Sequence, residues 1–361
     1  MNKFFPFIVL LIILAAQVQA IAAEPPSVGA NAAIVIEAET GQVLYEKNAD
    51  QPLHPASCGK ILTAITVLDL ADLNERTTVS AAAEAIDESS IYLEEGQEWL
   101  LNDLLRGALI KSANDACFAL AEAVAGNEPL FVYMLNLKAS LLGAKSANLC
   151  NTNGLPAEDH AISPRDLTLA ARYAMFNPVF AETVKNSKAV IGEGALKRQI
   201  KTTNKLLSMR EDIIGIKTGT TDDAGPCLLS ASRKEGCTLI AGVFHSPDRY
   251  GESLRILDWA RKEYSKCNLA QAGQAVAYLP IKGRKEQLAL IAANNFCFFY
   301  RGEIDELKID YKLPDYIYPP IEKGAVLGEV TVKDQNNNLL FCGALSAEQG
   351  VKPRFFDRFA R

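Results

Sequence analysis

Ser57-Cys58-Gly59-Lys60, with the run Ile61-Leu62-Thr63-Ala64-Ile65-Thr66-Val67-Leu68-Asp69-Leu70 behind it, decides how the chain reads. From Ser57 to Leu70 the pattern is helical and apolar on almost every side. A helix of that kind lies buried at the centre of a domain. Lys60 belongs to this helix, and a buried lysine without a partner is costly. Ser57 precedes it by three residues, about one turn, so the hydroxyl and the amine share a face. Two further short stretches follow in order, Ser112-Ala113-Asn114 and Lys217-Thr218-Gly219.

Outward from this helix the chain alternates strands and helices. Ala33–Ile36 and Val43–Tyr45 flank a turn at Gly41-Gln42, the signal of a hairpin. Residues 102–125, rich in Leu and Ala, read as one long helix. Asn153-Gly154-Leu155-Pro156 is a turn. Ser163-Pro164-Arg165-Asp166 reads as a helix start, with Ser163 at the N-cap and Pro164 in the first position, running to about Met175. Residues 213–219 and 226–246 read as paired strands around Thr221–Gly225, and a helix follows from about Arg249 to Tyr264. Strands at both ends with helices between predict an α+β fold, an antiparallel sheet covered by helices. After about Lys266 the character changes to short β-like runs separated by Gly, Pro and Asn clusters, which predicts a small all-β domain over 269–347. Residues 24–268 then form the larger domain, and 348–361 a short basic and aromatic tail.

The chain has 361 residues, 49% hydrophobic and 22% charged, which suits a globular protein of two or three domains. With 37 basic and 43 acidic residues the net charge is −6, which argues against a diffuse nucleic-acid-binding surface. Residues 1–23 read as a secretory signal peptide: Lys3, an apolar run from Phe4 to Ala16, then Ala20, Ala22 and Ala23 as small residues for cleavage. The run is too short for a comfortable membrane span, so cleavage is expected, with an uncleaved anchor as the alternative. The expected location is extracytoplasmic. All eight cysteines lie after this segment. Their spacings form no metal-ligand pattern, and several sit in apolar runs, so buried free thiols are expected rather than a disulfide framework.

The three motifs carry a coherent chemistry. Ser57, at a helix N-terminus, sits where developing negative charge is favoured. Lys60 can act as its base if burial and a neighbouring cation lower its pKa, and Lys217 is the expected neighbour. Ser112 can relay a proton to a leaving amine, and Asn114 can orient Lys60 or hold a substrate amide. Lys217-Thr218-Gly219 ends an apolar strand whose edge can pair with an extended peptide. Gly219 lets the substrate backbone approach closely, and Lys217 with Thr218 can bind a carboxylate. The backbone N–H groups of Ser57 and Thr220 are candidates for an oxyanion hole. Taken singly, Ser57 reads as an N-cap, Lys60 as a snorkelling side chain and Lys217 as a strand-end charge; the ordered trio outweighs these readings.

The trio is the signature of penicillin-binding proteins and class A β-lactamases. Over about residues 29–268 the chain resembles the low-molecular-weight penicillin-binding proteins, the serine-type D-alanyl-D-alanine carboxypeptidases. His54–Ser57, Lys111–Ala116, Asn153–Pro156, His160–Asp166, Thr203–Leu207, Gly215–Gly219 with Ala224-Gly225, and Arg249–Trp259 carry the likeness. The resemblance implies Ser57 as acylated nucleophile, Lys60 as general base, Ser112 and Asn114 as a second wall, Lys217 and Thr218 as a third, and Arg249 near the substrate carboxylate. It implies peptidoglycan pentapeptide as substrate, β-lactam antibiotics as inhibitors, and no metal or cofactor. Gly59 stands where family members often have Thr, and Cys58 beside the nucleophile is unusual, with its side chain expected to point away from Ser57 and Lys60. The tail, with Phe355, Phe356 and Phe359 beside Arg354, Arg358 and Arg361, could make weak contact with an anionic membrane surface. His160 reads as structural. A class A β-lactamase would need a Glu base soon after the second motif; the nearest pattern, Glu182 to Asn186, comes too late in the chain. A D,D-endopeptidase would use the same residues, and a non-catalytic cell-wall-binding protein would not need them.

Overall fold

A computed structural model describes residues 24–302 and 306–354. The expected signal segment, residues 1–23, and the tail from Phe355 onward lie outside the described residues. The chain divides into two compact units, Pro25–Arg261 and a second that begins at Lys262. No helix among the described residues is long and apolar enough to cross a membrane.

The first unit opens with β1 (Ala32–Glu37) and β2 (Val43–Lys47), a 3-10 turn over Ala56–Gly59, and α1 (Lys60–Leu70). Then come β3 (Arg76–Thr78), α2 (Ala81–Glu84), β4 (Glu98–Leu100), α3 (Leu101–Arg106), a π turn over Gly107–Lys111, α4 (Asn114–Ala125) and α5 (Glu128–Leu141). It continues through α6 (Pro164–Phe176), α7 (Pro178–Val184), β5 (Lys188–Ile191), β6 (Arg198–Lys201) and α8 (Leu206–Met209). It closes with β7 (Ile213–Thr221), β8 (Gly225–Lys234), β9 (Cys237–Phe244) and α9 (Arg249–Glu263). The predicted hairpin, the strands around Thr221–Gly225 and the helix starts at Ser163 and Arg249 are all present. Ser163 caps α6 through a hydrogen bond from Asp166 N, and Pro164 follows it.

The central sheet is antiparallel in the order β2-β1-β9-β8-β7. Every residue of β1 is buried, so both faces of the sheet are covered. Helix α6 lies against β1 and β9, and Trp259 of α9 meets Tyr45 of β2 edge-on. Strand β7 is at an edge, so one side of its backbone is not used by the sheet. Helix α1 is the axis of the helical layer: Lys60 to Val67 are all buried, against α4, α5 and α6.

Two expectations need correction. Ser57 does not open α1. It sits in the 3-10 turn just before it, with Ala56 in the left-handed region at φ 46°. Residues 102–125 are not one helix either. The chain tightens into α3, widens into the π turn, turns left-handed at Ser112 (φ 69°), and restarts at Asn114. The Leu- and Ala-rich composition supports helix throughout. At the break Ala113 N donates to Gly107 O in a wide local turn, and a tertiary bond takes Asn114 N to Ser89 O in place of a helical partner.

The second unit carries β10 (Ser265–Ala270), β11 (Ala275–Pro280), β12 (Gln287–Ala292), β13 (Phe296–Tyr300), β14 (Lys308–Lys312), β15 (Val326–Lys333) and β16 (Leu339–Ala347). One sheet has the order β11-β12-β16-β15-β14, and β10 pairs with β13. All of these pairings are antiparallel. Leu288, Leu290, Val330 and Leu345 fill its core. This is the predicted all-β character. All eight cysteines are free thiols, as expected, but burial holds for only five: Cys237 is half-buried, and Cys150 and Cys342 are exposed.

Two substitutions test this packing by thermal or denaturant unfolding. Phe131 of α5 is fully buried in the core around α1, so Phe131→Ala is expected to lose about 3–5 kcal/mol. Gly154 has φ 84°, and a Cβ there would lie 1.9 Å from Ala56 O. Gly154→Ala is therefore expected to destabilise by more than about 1 kcal/mol. An unchanged unfolding midpoint would contradict either assignment.

Candidate active site

The loop that carries Ser57 is wedged between two glycines. Gly154 lies against Ala56 O, and Gly219 of β7 lies so close that a Cβ would sit 2.9 Å from Ser57 N and 3.0 Å from Cys58 N. These approaches bring the edge of β7 beside the serine. They are the physical need for glycine at 219: the close neighbour is the Ser57 loop, where the sequence predicts a substrate backbone. Gly59 is different: a Cβ there would make only ordinary contacts with Pro55. The chain's departure from threonine at that position is therefore not forced by space.

Lys60 is completely buried. Its Nζ lies 2.8 Å from Ser57 Oγ, 2.8 Å from Asn114 Oδ1 and 2.5 Å from Asn153 O. Burial lowers its pKa to about 8. Nearby Cys117, Cys58, Glu88 and Asp115 act in the opposite, weaker sense. Lys217 is equally enclosed, and its Nζ donates to Ser112 Oγ at 2.8 Å and Thr218 O at 2.9 Å. Burial pulls its pKa down too, and the positive charge of Lys60 adds to the effect. Removal from water is the largest cause for both lysines, and because the repulsion between two cations is mutual, a proton on either amine disfavours one on the other.

Thr218 presents its hydroxyl 2.5 Å from that of Thr203. Arg249, at the start of α9, donates through Nη1 to Gly219 O at 2.8 Å, Thr220 Oγ1 at 2.7 Å and Cys227 O at 3.2 Å. Its guanidinium therefore stands at the open end of β7, beside the exposed Thr220.

The predicted residues thus fall into two linked sets, Ser57–Lys60–Asn114 and Ser112–Lys217–Thr218, with Gly219, Thr220 and Arg249 along the same strand edge. The sequence reading missed the carbonyl of Asn153, though it marked the turn that holds it. It also missed the hydroxyl of Thr203. Cys58 packs as expected: its Sγ contacts Lys217 O at 3.5 Å, and burial pushes its thiol up to about 11. His160 is buried and accepts a hydrogen bond at Nδ1 from Cys150 N, a structural role. Among the described residues no cluster of His, Cys, Asp and Glu could hold a metal.

This arrangement can do serine acyl transfer without a histidine, and comparison with known proteins places it in a family. Residues 19–248 match the family model described as D-alanyl-D-alanine carboxypeptidase, and residues 264–352 match that of the penicillin-binding protein 5 C-terminal domain. The D-alanyl-D-alanine carboxypeptidase DacF of Bacillus subtilis is 30% identical over 92% of this chain and 88% of its own length. DacC of Escherichia coli is 30% identical over 85% and 80%. The solved penicillin-binding protein 5 of Haemophilus influenzae superposes with a TM-score of 0.82 at 24% identity, over 92% of this chain and all of that one, and so shares the fold. A D-alanyl-D-alanine carboxypeptidase from Mycobacterium tuberculosis H37Rv gives a TM-score of 0.64 at 29% identity, over 68% of this chain and 96% of that one. The chain belongs to the D-alanyl-D-alanine carboxypeptidase family, as a serine-type peptidase of the low-molecular-weight penicillin-binding protein group.

Proposed function

We propose that this carboxypeptidase removes the terminal D-alanine of peptidoglycan pentapeptide through an acyl-enzyme on Ser57, with Lys60 as its base. The single observation that carries the reading is the set of three partners around Lys60 Nζ. A neutral amine has two N–H bonds and one lone pair. Two of its neighbours, Asn114 Oδ1 and Asn153 O, are carbonyl oxygens that can only accept. The three oxygens can accept all three N–H bonds of the charged amine, which then donates to Ser57 Oγ. Once burial has removed one proton and the two carbonyls hold the remaining N–H bonds, the lone pair is left for the Ser57 hydroxyl.

In the reaction Ser57 Oγ attacks the carbonyl carbon of the penultimate D-alanine while Lys60 takes its proton. The Ser57 and Thr220 N–H groups donate hydrogen bonds to the oxyanion of the tetrahedral intermediate. The C–N bond then breaks, and the leaving amine takes a proton from Ser112, which Lys217 replenishes. Water then attacks the ester, its proton passing through Ser112 back to Lys217, and Lys60 returns its proton to Ser57 Oγ as the acid leaves. The substrate peptide lies along the free edge of β7. Lys217 Nζ is directed at Ser112, so the hydroxyl of Thr218 and the guanidinium of Arg249 are the groups that hold the terminal carboxylate. β-Lactam antibiotics acylate the same serine as inhibitors.

We also infer export to an extracytoplasmic location, on the strength of the residue 1–23 pattern. A β-lactamase reading has less support. Glu182 is exposed and ion-paired with Lys185 on the surface of α7.

Intact-mass analysis with a fluorescent penicillin tests the nucleophile. One persistent adduct is expected on the wild type and none on folded Ser57→Ala; an equal adduct on both would contradict the assignment. The pH profile tests the base. Lys60 acts only when neutral, so the acylation rate constant is expected to rise with pH as Lys60 loses its proton near about 8, and to fall again at higher pH as Lys217, the proton source for Ser112, is neutralised too. A rate that stays flat from pH 6 to 9 would contradict the role of Lys60.

A further inference from the structure

A carboxylate follows Asn114 directly and takes no part in the mechanism above. Asp115 is 1% exposed. Its Oδ2 accepts from Ser90 Oγ at 2.5 Å and Leu93 N at 3.1 Å. Its Oδ1 accepts from Ala116 N at 2.8 Å, and Ile91 N lies 3.2 Å from both oxygens. Each of these donors is uncharged. A buried carboxylate is tolerated when its acceptor sites are filled in this way. Three of the four donors come from residues 90–93, so the charge ties that segment to the start of α4.

The same segment holds Asn114. Asn114 N donates to Ser89 O at 2.6 Å, and Asn114 Nδ2 donates to Asp87 O at 3.0 Å. An amide side chain has donors at one end and an acceptor at the other. With Nδ2 fixed on Asp87 O, Oδ1 must face Lys60. The opposite orientation would set an NH2 group against the Lys60 amine and against Asp87 O its own oxygen. Nothing within the Asn114 side chain chooses between the two. The choice is made by where residues 87–89 run, and that path is anchored three residues on by Asp115.

We propose that Asp115 is a positioning residue for the reaction: by anchoring residues 87–93 it fixes the Asn114 amide, and through it the direction of the Lys60 lone pair toward Ser57. The proposal rests on the reading of Ser57 and Lys60 given above. Asp115 touches neither substrate nor Ser57.

The test compares Asp115→Asn and Ser90→Ala with the wild type, after circular dichroism has established that each is folded. In Asp115→Asn the penicillin acylation rate constant is expected to fall about 10- to 100-fold, the scale of a misplacement of ~1 Å. The titratable and charged groups around Lys60 are Cys117, Cys58, Glu88, Asp115 and Lys217. Loss of the Asp115 charge is therefore expected to move the midpoint of the pH profile to lower pH. Ser90→Ala removes one donor and keeps the charge, so a smaller fall with an unmoved midpoint is expected. A lower melting temperature with a wild-type rate per folded molecule and a wild-type midpoint would make Asp115 merely structural and overturn the proposal. Should Asp115→Asn not fold, Ser90→Ala decides: a reduced rate supports the proposal, and a wild-type rate overturns it. The Asn114 side-chain amide protons, followed by NMR, give a readout independent of chemistry. Slow exchange in the wild type and fast exchange in the variants are expected; equal exchange would overturn the proposal. A wild type without a Ser57 adduct would count against the catalytic reading, while the amide exchange would still judge the placement of Asn114.

Discussion

A lysine amine shut away from water is the constraint on which the rest of the structure depends. Burying an ammonium costs several kcal/mol unless it is paired with an anion or loses its proton. Lys60 contacts a hydroxyl and two carbonyl oxygens, and no carboxylate is among those three partners. Those three acceptors give an ammonium hydrogen bonds but no compensating negative charge, so burial favours loss of its proton. The fold therefore lowers the proton affinity of Lys60 through its buried position on α1, and the same burial supplies a base near neutral pH.

Each neighbouring element can be understood by what it gives this amine. Helix α1 provides the enclosed position. The break between α3 and α4 turns Ser112 and Asn114 toward the centre, which a continuous helix could not do for both residues. The turn at Asn153-Gly154 contributes a carbonyl and, because Gly154 has no Cβ, lies directly on the loop of Ser57. The edge strand β7 brings Lys217 and Thr218 to the other side. It can approach because residue 219 is also glycine. Arg249 then ties the end of this strand to α9 through Gly219 O and Thr220 Oγ1.

The sequence exposed those parts that depend on spacing and local pattern. The three-residue interval from Ser57 to Lys60 inside an apolar run, the alternation leading into Lys217-Thr218-Gly219, and the Ser163-Pro164 helix start are local features. The last two are found where the pattern placed them, and the first brings Ser57 Oγ to Lys60 Nζ although only Lys60 lies in the helix. The break at 107–113 was hidden because its residues are good helix formers. Hydrogen bonds from the segment around Ser89 decide the outcome there. Ser57 was placed in the helix rather than in the turn before it for a related reason: the left-handed Ala56 is held by its contact with Gly154, nearly a hundred residues away in the chain. Asn153 contributes a backbone oxygen, which no residue type announces. Asp115 looked like part of a motif, and its four donors became visible only once residues 90–93 were in place.

The most direct test of this account is the titration of Lys60 itself. In protein labelled with 13C-lysine, the Lys60 Cε resonance, assigned by its disappearance in Lys60→Met, can be followed with pH by NMR. The account predicts a midpoint near the value of about 8 set by burial. A midpoint near the ordinary lysine value of about 10.4 would mean that the amine stays charged at neutral pH, and would contradict its role as the base for Ser57.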